Sequence, residues 1–147
     1  MGEWIGRGRK ARRAYGFDEI AIMPGEITIN PDEVDITWQL GEKEYELPIL
    51  AAAMDGVVSP DFAIKMGKMG GLAMLNLEGV WTRYDDPDSI LDDIAKSTPE
   101  ESTPKVQKLY VPPLKPELIG QRVEQIKNAG VPPIVSCTPQ RAEEVAP

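Results

Sequence analysis

The 147-residue chain has no histidine and a single cysteine, Cys137. The first absence removes Ser-His-Asp triads, Cys-His dyads and His-containing zinc sites from this stretch. The second removes an intramolecular disulfide framework and any cysteine-only metal site. No apolar run approaches the roughly 18 residues that a membrane-spanning helix requires. An export signal is missing as well: Arg12-Arg13 is followed by Ala14-Tyr15-Gly16-Phe17-Asp18-Glu19, not by an apolar stretch. Gly6 stands where a myristoylation motif carries Ser or Thr. Together these absences lead us to expect a cytoplasmic protein without a membrane partner.

What is present is ordinary for an ordered globular chain: 41% hydrophobic and 27% charged residues, with a formal net charge of −8. The charge is uneven. Residues 1–13 carry Arg7, Arg9, Lys10, Arg12 and Arg13 against Glu3, a net +4, which leaves −12 on the remainder. A basic arm can bind phosphate or nucleic acid, but an acidic body repels a nucleic-acid backbone. We therefore expect no nucleic-acid partner, and an arm over residues 1–16 that pairs with its own body or a neighbouring subunit.

Residues 17–47 read as short strands and turns. Met23-Pro24-Gly25 is a turn signal, and Val34, Ile36, Trp38 and Leu40 alternate with polar residues as a half-buried strand does. Gly41-Glu42-Lys43 permits a reversal into Tyr45 and Leu47, which predicts a hairpin.

From Pro48 the pattern changes. Residues 49–54 form a continuous apolar run, the signature of a strand buried on both faces. Ser59-Pro60-Asp61 starts a helix whose apolar face is Phe62, Met66 and Met69, and Gly70-Gly71 ends it. Residues 72–77 are a second apolar run, and Asp85-Asp86-Pro87-Asp88 starts a second helix. Residues 97–117 hold five prolines and read as a connector, with a short strand at 106–111. Pro116 opens a helix with Ile119, Val123 and Ile126 on one face, ended by Gly130. A third apolar run, 134–137, leads into Thr138-Pro139-Gln140. Alternating strands and helices imply parallel strands with helical crossovers, hence an open doubly wound sheet or a (β/α)8 barrel.

Three stretches are candidates for chemistry. Gly6-Arg7-Gly8-Arg9 neither follows a strand nor precedes a helix, so it is no dinucleotide fingerprint. Ala51-Ala52-Ala53-Met54-Asp55-Gly56 has two readings. It is either a small-residue core strand with a buried methionine, or a strand end where a ligand approaches the backbone and meets a polarizable thioether. Cys137 lies at a strand-to-helix junction, where a helix N-terminus lowers a thiol pKa. It is either a nucleophile served by a non-histidine base or, as is commoner, a structural buried cysteine.

Several motifs in order resemble one family. Gly16-Phe17-Asp18-Glu19-Ile20-Ala21-Ile22-Met23-Pro24-Gly25 is similar to the opening of IMP dehydrogenases and GMP reductases. Pro48-Ile49-Leu50-Ala51-Ala52-Ala53-Met54-Asp55 resembles their first barrel strand, and Gly70-Gly71-Leu72-Ala73 the start of their second. Arg12-Arg13-Ala14-Tyr15 and Asn76-Leu77-Glu78-Gly79, with Trp81-Thr82-Arg83-Tyr84 after it, resemble the IMP dehydrogenase-related branch without CBS regulatory domains.

The resemblance implies an α/β fold, the N-terminal portion of a (β/α)8 TIM barrel with about three βα units. Residues 17–47 would cap the barrel and 48–147 would supply those units. Residues 97–130, a connector and an extra helix, would stand where relatives insert CBS domains. It further implies oxidation of IMP to XMP with NAD through a covalent cysteine intermediate, potassium or another monovalent cation as cofactor, and a homo-tetramer. A GMP reductase using NADPH, or a catalytically silent interaction fragment, are the alternatives. By the resemblance Met54 lies under the purine ring and Ala52 beside the nucleotide. Thr37 matches a contact to the dinucleotide's adenine, and Asn76 replaces a cofactor-contacting histidine. Ser136-Cys137-Thr138 imitates the family's nucleophile context, but Val131-Pro132-Pro133 precedes it where glycines belong. The resemblance therefore makes Cys137 a decoy. The nucleophile, the mobile flap and the main phosphate loops are expected beyond Pro147. No metal ligand is expected within the stretch, and the stretch alone is expected to be inactive.

Overall fold

The structure, a computed structural model, describes residues 2–145, without the side chain of residue 144. Residues 1, 146 and 147, the outer ends of the first and last segments read from the sequence, lie outside the described residues. The chain divides into two compact units between Asp35 and Ile36.

In the first unit, β1 (Glu3–Ile5) pairs antiparallel with β2 (Arg9–Ala11), Trp4 opposite Lys10. The basic arm is thus a hairpin, its turn made by Gly6-Arg7-Gly8. Lys10 Nζ lies 4.8 Å from the Trp4 ring centroid and the Arg13 guanidinium 5.1 Å from that of Tyr15, cation–π distances. Beyond it, Phe17, Ile22, Met23 and Ile27 are each more than 80% exposed.

The second unit opens with the predicted hairpin. β3 (Trp38–Leu40) pairs antiparallel with β4 (Lys43–Tyr45), and the Trp38 and Tyr45 rings lie 5.6 Å apart. The strand is shorter than its alternation suggested. Val34 and Ile36 lie outside it and are about half exposed; the ladder to β4 begins at Trp38, opposite Tyr45.

β5 (Leu50–Ala51), β6 (Leu72–Asn76) and β7 (Ile134–Ser136) form one parallel sheet in the order β5-β6-β7. The register sets Ala51 beside Ala73, Leu75 beside Val135 and Asn76 beside Ser136. Side chains alternate between sheet faces. Ala51, Ala73, Leu75 and Leu77 share the face packed by helices, in a core with Val58, Ala63, Trp81, Ile126 and Val131. Only the central strand matches the expectation of deep burial, with Leu72, Leu75 and Leu77 at 1% exposure or less. β5 is an edge strand, its Ile49 and Leu50 remaining 49% and 41% exposed.

α1 (Pro60–Lys68) starts as its sequence dictates: Ser59 Oγ accepts from the Phe62 N–H at 3.0 Å, and Pro60 occupies the first turn, where no donor is needed. Of the face read off the sequence, Met66 packs on the core but its two neighbours do not. Phe62 and Met69 are exposed, whereas Pro60 and Ala63 are buried. Small residues win here because α1 comes very close to the end of the fourth helix. A Cβ on Gly67 would sit 2.2 Å from Val131 Cγ1. α2 (Pro87–Ala95) is capped by Asp86, whose carboxylate accepts from the Ser89 N–H at 3.3 Å.

The connector contains a helix, not a strand. α3 (Pro99–Leu109) occupies residues read as proline-rich coil, and α4 (Pro116–Asn128) follows. Pro99 sits in the first turn of α3, and Glu101 reaches back to the Thr98 N–H at 3.2 Å as half of a capping box. Pro104 lies in the middle of the helix, at the loss of one intrahelical bond. After β7, α5 (Ala142–Val145) begins. Among the described residues, no helix is long and apolar enough to cross a membrane, and no group of three or more His, Cys, Asp or Glu side chains could hold a metal ion.

Candidate functional site

The C-terminal ends of β5, β6 and β7 and the loops that leave them form one hydrogen-bonded cluster. Asp55, just past β5, is its hub. One carboxylate oxygen, Oδ2, accepts from the Val80 N–H at 3.1 Å and from the Tyr110 hydroxyl at 2.7 Å. The Asp55 backbone carbonyl accepts from the Trp81 indole at 3.4 Å. The other oxygen, Oδ1, is buried without a hydrogen-bond partner and lies against Gly79. Only glycine fits there, since a Cβ at position 79 would stand 1.8 Å from that oxygen. Burial of the Tyr110 hydroxyl, and then its bond to the Asp55 carboxylate, push its pKa up to about 12.

Glu78 ties the β6 loop to the β7 loop. Its carboxylate accepts from the Thr138 N–H at 2.6 Å and the Thr138 hydroxyl at 3.2 Å, with Arg141 Nε 3.8 Å away. The Arg83 guanidinium donates to the carbonyls of Glu78 and Pro112. The buried Thr82 hydroxyl donates to the Leu77 carbonyl at 2.7 Å. Farther out, an ion pair with Lys115 holds the Asp85 carboxyl below its usual range.

This frame positions three of the residues singled out from the sequence. Ala52 follows the core-facing Ala51, by alternation turns to the opposite side, and is exposed. Met54 is 55% exposed, so the reading of it as a buried core methionine does not hold. Its backbone carbonyl accepts from Val57 and Val58, a tight turn that fixes the residue at the strand's end. Asn76 ends β6 on the face opposite Leu75, the one that also carries the buried Leu72, and stands beside Ser136. Its side-chain carbonyl accepts from the Glu78 N–H at 3.0 Å, which leaves the amide N–H donors as its chemistry toward a ligand.

Thr37 is not brought to these residues. It adjoins Trp38, whose indole donates to the Leu47 carbonyl at 2.8 Å, just before β5. Leu47 in turn donates to the Gly70 carbonyl, before β6. The hairpin is therefore tied to the N-terminal ends of the strands, opposite Met54 and Asn76. Cys137 is partly buried and packs on the helix-side core, whereas Ser136 stands beside Asn76. Asp55, Glu78 and Tyr110 as tie points escaped the sequence reading. Asp55 stands in the sequence at the end of the first apolar run, but nothing local joins residues 55 positions apart.

Parallel strands with helical crossovers, and polar loops gathered at the strand C-terminal ends, define the chain as a β/α scaffold. A sequence profile of the IMP dehydrogenase / GMP reductase domain matches residues 14–111. The chain belongs to that family. It is 40% identical over 148 residues to an uncharacterized oxidoreductase of Mycobacterium tuberculosis, covering 97% of this chain and 40% of the relative. An inosine-5'-monophosphate dehydrogenase of Korarchaeum cryptofilum is 36% identical over 63 residues, 43% of this chain and 13% of that protein. A crystal structure of an IMP dehydrogenase/GMP reductase-like protein from Corynebacterium glutamicum superimposes with a TM-score of 0.83 at 35% identity, covering 99% of this chain and 40% of that one. The chain thus spans about 40% of the length of the mycobacterial and corynebacterial relatives it matches.

Proposed function

We propose that this chain forms the N-terminal part of a (β/α)8-barrel oxidoreductase that binds IMP and oxidises it to XMP with NAD, as a homo-tetramer. The observation that carries the reading is Met54, half exposed at the C-terminal end of β5 and preceded by the exposed Ala52. A thioether offers a polarizable surface to a flat ring, and an alanine beside it adds no bulk against the nucleotide. The residues present therefore fit a purine.

In this proposal Met54 supports the purine face, Ala52 lines the nucleotide and Asn76 donates to the nucleotide or its cofactor. NAD would supply the hydride acceptor. Thr37 lies by the opposite ends of the strands, so the proposal assigns it to the cofactor site of a neighbouring subunit. The covalent nucleophile and the monovalent-cation site are assigned to residues outside this chain. Cys137 takes no part, because it packs on the helix side of the sheet.

The test is spectrophotometric, on the full-length protein that contains this stretch. Supplied with IMP and NAD it is expected to produce NADH. Met54→Ala should raise the KM for IMP roughly tenfold, the size of ~1.5 kcal/mol of lost apolar contact. Cys137→Ala should leave turnover within about twofold. Consumption of NADPH with GMP would assign the reductase reaction instead, and neither activity would make the protein a silent partner. Loss of turnover in Cys137→Ala would restore that cysteine as nucleophile.

A further inference from the structure

We propose that Tyr110, through its hydrogen bond to Asp55, is a positioning residue by which the α3 segment sets the β5–α1 loop carrying Met54, and with it nucleotide affinity. The proposal rests on the functional reading of Met54 above.

Four observations lead to it. The Tyr110 hydroxyl reaches Asp55 Oδ2 at 2.7 Å across 55 residues of sequence, joining the C-terminal end of α3 to the residue after Met54. Asp55 has little freedom to answer otherwise. Its second oxygen is packed against Gly79 with no donor, and its backbone carbonyl is taken by the Trp81 indole. Oδ2 is therefore where the carboxylate is held, between Val80 from the β6 loop and Tyr110 from α3.

Tyr110 is itself aimed. The Arg83 guanidinium stands 5.8 Å from its ring centroid and bonds to the Pro112 carbonyl two residues on. Finally, α3 is lightly held. Of its eleven residues only Leu109 is buried, with the Tyr84 hydroxyl on the Leu109 carbonyl at 2.9 Å and the exposed Lys105–Asp93 pair as further ties. An element with so few buried contacts docks and undocks at low cost. A single bond at its end can then bias the loop it touches.

The bond does not depend on pH in the ordinary range, because the phenol stays protonated well above neutrality. It is a fixed brace whose strength depends on whether α3 is docked.

The experiment compares the full-length protein with its Tyr110→Phe variant, which keeps the ring and removes the hydroxyl. IMP affinity is measured by calorimetry, kcat and KM are measured separately, and amide hydrogen exchange is followed over residues 54–58 and 99–111. Losing one hydrogen bond to a charged group should weaken IMP binding and raise KM roughly fivefold or more. The expected kcat stays within about twofold, and exchange should speed up at residues 54–58 and 99–111 while the rest of the sheet is unchanged. Asp55→Asn, which keeps an acceptor for Tyr110, should show the smaller defect of the two.

Unchanged exchange at residues 54–58 in Tyr110→Phe overturns the proposal. So does a fall in kcat with KM unchanged. If the unaltered protein binds no IMP, the functional reading fails separately, and the exchange at 54–58 still decides whether Tyr110 positions the loop.

Discussion

Gly79 and Asp55 show how single residues decide the geometry at the strand ends. The Asp55 carboxylate occupies the space that any side chain at position 79 would need. Gly79→Ala in the full-length protein must push that carboxylate away from the Val80 N–H and the Tyr110 hydroxyl, or move the β6 loop. We expect a loss of about 1–3 kcal/mol, the usual cost of overpacking a close contact, read as a lower denaturant midpoint at unchanged slope. Tyr110 makes a second prediction, in pH. Its folded pKa of about 12 lies above the value of 10.0 for an unperturbed tyrosine, so above pH 10 the unfolded chain gives up the proton first. The stabilisation is complete below about pH 10 and disappears as the pH rises toward 12. Alkaline denaturation of Tyr110→Phe should show a shallower fall between those limits than the unaltered protein. None of this was legible locally. Asp55 read as the start of a loop and Tyr110 as part of a strand, because their partnership exists only once α3 folds back on the β5 loop.

At the scale of elements, the strong punctuation of the sequence was sufficient where it fell at helix starts. Ser59-Pro60 and Asp86-Pro87 each placed a side-chain acceptor one residue before a proline, and each opens a helix. Ser59→Ala removes the acceptor for the Phe62 N–H, and we expect it to cost about 1 kcal/mol of stability, measured by thermal unfolding of the full-length protein. Proline misled in the 97–117 stretch. Counting prolines made it a connector, yet Thr98-Pro99-Glu100-Glu101 carries the capping-box spacing, Pro99 falls in the first turn of α3, where no N–H is needed, and Pro104 lies mid-helix at the loss of one intrahelical bond. The face of α1 was misread for a different reason. Periodicity ranked Phe62 and Met69 by hydrophobicity, whereas the packing selected Ala63 and Gly67 for closeness.

For the whole molecule, the edge of the sheet and the first unit are decisive. Helices pack on one face of the three-stranded sheet, and on the other Leu50 remains 41% exposed. Phe17 at 96% and Ile22 at 99% exposure bury almost nothing among the described residues. An edge strand with apolar side chains and unpaired backbone groups invites association. Expressed alone, the 147-residue stretch is expected to bind a hydrophobic dye strongly and to unfold over a broad range without a cooperative step. A sharp transition from a monomer that excludes the dye would contradict this. The TM-score of 0.83 over 99% of the chain shows that this fold recurs within a longer protein.

The sequence by itself determined the order of elements from Pro48 onward, apart from α3, together with the parallel character of the sheet and the family. Those follow from local signals: apolar runs, caps, and motifs at fixed spacing. The tertiary structure decided which face of each element is packed, where Met54 and Asn76 stand relative to Thr37, and that Asp55 is held from two sides. Those depend on pairing between residues distant in sequence. Periodicity carries no record of such pairs, because each is selected by close approach in space and not by its neighbours along the chain.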